Sequence, residues 1–155
     1  MSRQPVGSIA LPAWQRRAIY VSGALLLASG LGWVLVAWPA GTEMSAAART
    51  AATWLLRLHG VCAYAVLVIV GTVLPVHLRL GWTKKRNRWS GSLLVGLLAC
   101  LALTGLWLYY GPESGREIVS NGHWWLGLVL PVWLLLHRAW GLRSRRANAS
   151  DARRS

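Results

Sequence analysis

No aspartate or glutamate interrupts any of the four long apolar runs in this chain; its acids are Glu43, Glu113, Glu117 and Asp151. Phenylalanine is absent, and cysteine occurs only twice. Each shortage excludes something. Cation-coupled transporters usually carry a carboxylate at membrane depth, and this chain offers none there. Cys62 and Cys100, both at apolar positions, do not make a disulfide framework and are expected to be buried free thiols. Internal repeats and low-complexity tracts are also missing, and 155 residues suit a single domain.

What is present is apolar sequence in blocks. The chain is 55% hydrophobic, and Ala18–Trp38, Leu58–Leu78 and Ser90–Tyr110 carry no charge. A fourth block, His123–Leu142, is broken only by Arg138. Each is about 20 residues, enough to cross a hydrocarbon core of about 30 Å at about 1.5 Å per residue. A helix satisfies its own backbone groups in lipid. The expected fold is therefore all-α: an integral membrane four-helix bundle, up-down-up-down. Residues 18–142 form the transmembrane domain, between a basic leader (1–17) and a basic tail (143–155) whose composition predicts disorder.

The net charge of +13 does not point to nucleic acid, because of where it lies. Basic residues gather before helix 1 (Arg3, Arg16, Arg17), between helices 2 and 3 (Arg79, Lys84, Lys85, Arg86, Arg88) and at the end (Arg138, Arg143, Arg145, Arg146, Arg153, Arg154). The other two loops hold only Arg49, Arg57 and Arg116. By the positive-inside rule both termini are cytoplasmic, with the lipid bilayer as the first partner. Most of the 11 Trp residues lie near the predicted interfaces, as an aromatic belt requires. Trp33 and Trp133 lie deeper and the belt does not account for them. Helix 1 has a charged leader, but it is too long for a signal core of roughly 7–15 residues and is expected to be retained. Thr42–Trp54 is a candidate short surface helix, and Ser120-Asn121 a candidate cap for helix 4.

The four histidines, His59, His77, His123 and His137, all fall on helices 2 and 4. An ionisable residue in a membrane helix is a functional candidate by default. His59 and His77 are 18 residues apart, five full turns, so they share a face. His123 and His137 are 14 apart, four turns less about 40°, and also share a face. Helices 2 and 4 run in the same direction. The spacing therefore pairs His59 with His123 near the outer surface and His77 with His137 near the inner one. The axial rises, about 27 Å and about 21 Å, differ by roughly 6 Å, a difference that tilt and a kink at Pro75 could absorb.

Two imidazoles on opposite sides are what a low-spin haem iron needs. The expected cofactors are two b-type haems. Gly91 and Gly105, with Gly23, Gly30, Gly32 and Gly60, are candidates for leaving room beside a flat macrocycle, although glycine also packs membrane helices closely. Arg57 and Arg116 outside, and Arg79 and Arg138 inside, are candidate propionate partners, with snorkelling at helix ends as the plainer reading of each.

The stretches Leu58-His59-Gly60, Leu74-Pro75-Val76-His77, Leu103-Thr104-Gly105 and His123-Trp124-Trp125-Leu126-Gly127, followed by His137, resemble the small bacterial four-helix di-haem membrane cytochromes b of the b-561-like superfamily. The resemblance covers residues 54–142. It implies His59 and His123 as axial ligands of an outer haem, His77 and His137 as those of an inner haem, and transmembrane electron transfer. It further implies exchange with a quinol pool or membrane partner and a soluble redox partner, as an electron carrier or an oxidoreductase subunit. Glu113, beside Tyr109 and Tyr110, is a candidate proton acceptor for quinol, or simply a solvated loop charge. Two other readings stay open: a haem-free metal-handling protein or transporter using His59, Cys62 and His123, and a haem-free anchor subunit.

Overall fold

A computed structural model of the chain describes residues 12–37, 43–83 and 88–151, and their side chains except those of 76–78, 80–83 and 144–151. Among the described residues the structure is four long helices without strands: α1 (Ala13–Ala37), α2 (Ala46–Thr83), α3 (Arg88–Tyr110) and α4 (Arg116–Asp151). Each contains a span long and apolar enough to cross a membrane. This is the build of a multi-pass membrane protein. The leader to Leu11, the loop 38–42, the basic turn 84–87 and the end of the tail, 152–155, lie outside the described residues.

All four helices are longer than their apolar blocks, α2 and α4 by the most. The alanine-rich stretch before helix 2 is not a separate surface helix but the first turns of α2. Ser45 starts it, its Oγ accepting the Ala48 N–H (3.2 Å), and nothing after it breaks a run of strong helix formers. α4 begins at Arg116, so Ser120 and Asn121 lie inside it rather than at its cap. The last breaker before it is Gly115, at φ +82°, a conformation only glycine takes easily. At its other end α4 continues to Asp151, so residues 143–151 are helical where composition predicts disorder.

Both long helices carry a proline within the apolar span, Pro75 in α2 and Pro131 in α4. A proline has no N–H to give the carbonyl four residues earlier and crowds it. In both cases that residue is a glycine, Gly71 and Gly127.

Few described residues are buried, and most of those are small: Ser22, Ser29, Ser90, Ala52 and Cys62, with Val66 and Leu97, while Leu35, Leu103 and Leu135 are exposed. Lipid is as apolar as leucine, so membrane helices meet through small residues that let backbones approach. The buried serines satisfy themselves locally: Ser22 donates to the Ala18 carbonyl (2.6 Å) and Ser29 to that of Leu26 (3.0 Å). Cys62 is buried as expected, but Cys100 is exposed on α3. An apolar position in a membrane helix does not say which way it faces, since lipid and interior are equally apolar.

The chain divides into two units, Met1–Val73 and Leu74–Ser155, and each is described separately.

Candidate functional site

In the first unit, His59 on α2 rests against α1. Its Nδ1 lies 3.0 Å from the Leu26 carbonyl and 3.3 Å from Ser29 Oγ. A carbonyl only accepts, so Nδ1 carries the hydrogen and the ring lone pair is on Nε2. Ser29 spends its own hydrogen on Leu26 and can only accept from the ring. The next residue, Gly30, makes the approach possible: a Cβ there would lie 3.1 Å from His59 Cε1.

In the second unit the arrangement recurs twice between α3 and α4. His123 Nδ1 lies 2.8 Å from Thr104 Oγ1. That hydroxyl donates to the Cys100 carbonyl (2.7 Å), so it accepts from His123, and the lone pair is again on Nε2. His137 Nδ1 lies 2.8 Å from Ser90 Oγ. Each hydroxyl is followed by glycine, and a Cβ on Gly105 or Gly91 would lie 3.6 Å from His123 Cε1 or 3.7 Å from His137 Cε1.

Three described histidines therefore share one kind of seat: a hydroxyl at Nδ1 and an adjacent glycine under the ring. The two seats on α3 are 14 residues apart, as are the histidines on α4. Antiparallel helices in constant register require that match. Sequence reasoning named Gly30, Gly91 and Gly105 as room for a macrocycle; they face imidazoles instead. It gave no role to Ser29, Ser90 or Thr104. The available signal was a hydroxyl residue directly before each of those glycines. Of the other candidate glycines, Gly32 faces Leu55, and Gly23 has open space.

Ser90 has a second task. Its carbonyl accepts the Trp133 Nε1–H (3.1 Å), and Trp133 meets Trp140 edge-on, with ring centres 5.7 Å apart. This accounts for the deep Trp133. An open groove runs here, bordered by Ser90, Arg88, Trp89, Trp133 and Trp140. Beside His123, Trp124 and Trp125 stack at 4.5 Å.

The arginines are engaged locally. Arg57 sits over the Trp54 ring at 4.9 Å. Arg116 caps α3, its Nη2 donating to the Leu108 carbonyl (2.7 Å), and pairs with Glu113 at 3.3 Å. Glu113 is almost fully exposed, a solvated loop charge on this geometry. Arg79 and Arg138 are exposed. The side chain of His77 lies outside the described residues. Among those described, no three His, Cys, Asp or Glu side chains gather as a metal-binding group.

An imidazole whose Nδ1–H is held by an oxygen presents a fixed tautomer and a fixed ring plane, with Nε2 as the metal-ligating atom. That donor set fits an axial haem ligand. Compared with known families, characterised proteins and solved structures, the chain gives no match.

Proposed function

We propose that this chain is a membrane electron-transfer protein holding two b-type haems, one between His59 and His123 and one between His77 and His137. The observation that carries this reading is the shared seat. All three described histidines have Nδ1 fixed by oxygen, and two of them keep a 14-residue register with their seats on α3. Ordinary packing histidines need neither a common oxygen partner at Nδ1 nor a common spacing.

When bound, haem supplies a one-electron iron couple at each site. The protein's part is to hold the ligating imidazoles rigid, so that little reorganises on electron transfer, and to surround them with apolar helices. With imidazole on both sides, no coordination position remains for oxygen chemistry. The helices run up-down-up-down with both termini in the cytoplasm of a bacterial cell, a topology supported by the uneven spread of Lys and Arg. The kinship we favour is with small di-haem cytochromes of the b-561-like kind. Electrons exchange with a quinol pool or membrane partner on one side. A membrane or soluble redox protein is the partner on the other side.

Haem stoichiometry tests the reading. A pyridine haemochrome assay on purified protein should give two haems per chain. Replacing His59 or His123 by Ala should remove one haem, and replacing His77 or His137 the other. Colourless protein from cells with ample porphyrin would reject the proposal.

A further inference from the structure

We infer that Thr104 and Ser90 are positioning residues that each set the potential of a different haem, the outer through His123 and the inner through His137. This rests on the di-haem reading and goes beyond it, because α3 contributes no ligand of its own.

The direction of the Thr104 hydrogen bond is fixed. Its single hydrogen goes to Cys100, so its oxygen draws on the His123 Nδ1–H at 2.8 Å. An imidazole that gives up part of that hydrogen becomes a more basic donor at Nε2. More electron density at the iron favours the oxidised state and lowers the potential, and hydrogen bonding behind the ligand is one of the protein's levers on it. Ser90 Oγ lies at the same 2.8 Å from His137 Nδ1, and with Nε2 as the ligating atom Nδ1 carries the hydrogen and Ser90 accepts it; the Trp133 hydrogen bond to the Ser90 carbonyl pins the residue in place. The two hydroxyls are 14 residues apart, about 21 Å along α3, so neither reaches the other's histidine.

The seat of His59 provides an internal contrast. There the Leu26 carbonyl lies closer to Nδ1 than Ser29 Oγ does, 3.0 Å against 3.3 Å. Removing the serine hydroxyl leaves the backbone acceptor in place.

Redox titration of the purified di-haem protein tests this. T104V should raise one of two one-electron waves by about tenfold in the oxidised-to-reduced ratio, about 59 mV, and leave the other unmoved. T104S should restore the wild-type value, which a loss of packing would not explain. S90A should raise the other wave, and S90T should restore it. S29A should move the wave that T104V moves, by less. Low-spin EPR signals identify which haem has shifted. Waves that move together, fall, or stay put in protein retaining both haems overturn the inference. Should T104V not fold, T104S and S90A decide alone. A haem-free wild-type protein would instead reject the di-haem reading itself, so the two failures are separable.

Discussion

Gly30 and His59 approach so closely that a side chain on the glycine would push the imidazole: a Cβ would lie 3.1 Å from Cε1 and 3.2 Å from Nδ1. Gly91 and Gly105 leave 3.7 Å and 3.6 Å to their own histidines, ordinary contact distances. The three glycines therefore differ in what they tolerate. G30A should destabilise the protein by about 1–3 kcal/mol through overpacking and lower haem retention. G91A and G105A should fold and retain haem near wild-type level. Thermal melts in detergent, with haem-to-protein ratios, check this. Equal damage from all three would show that the seats are not the determinant.

The turn before α4 carries a second contrast. At Gly111 a Cβ would fall 2.6 Å from the Trp107 carbonyl oxygen, a backbone atom that cannot swing aside. At Gly115 there is open space, but φ is +82°. G111A should cost more than G115A, whose penalty is about 1–2 kcal/mol for a left-handed alanine. Melting temperatures of the two variants rank them.

Glu113 sits in the turn before α4. It is exposed and paired with Arg116, so the rate of quinol-driven reduction in E113Q should stay within about twofold of wild type, as expected for a surface ion pair. A much larger loss would restore Glu113 as a proton acceptor.

Orientation is open to direct measurement. A phosphatase reporter fused after Glu113 should be active, and reporters fused after Lys85 or Arg145 inactive, because the positive loops stay in the cytoplasm. The reverse pattern would invert the assignment of outer and inner sites.

The four helices were legible because lipid-spanning sequence is coarse: about 20 apolar residues without a charge have few alternatives. Their ends were less so. Hydropathy marks where a helix enters lipid and not where it starts, so it separates the Thr42–Trp54 helix from helix 2 and leaves Arg116–Gly122 in a loop, although only Ser45 and Gly115 punctuate them. The histidine spacing singled out the residues that the seats hold. The seats did not stand out, because a serine or threonine in a membrane helix usually bonds its own backbone, as Ser22 does. Ser29 and Thr104 do this as well, and what separates them is a histidine on the next helix, which no local pattern shows.

The equal separation of Ser90 from Thr104 and of His123 from His137 makes α3 a jig for α4. Deleting one residue between Ser90 and Thr104 would turn one seat by about 100° and shorten the jig by about 1.5 Å, leaving one imidazole unsupported while the other stayed in place. Length changes in these two helices can be absorbed only when made in both together and in steps near a whole number of turns. A helix without a single histidine is thereby held to the same ruler as the one that carries two.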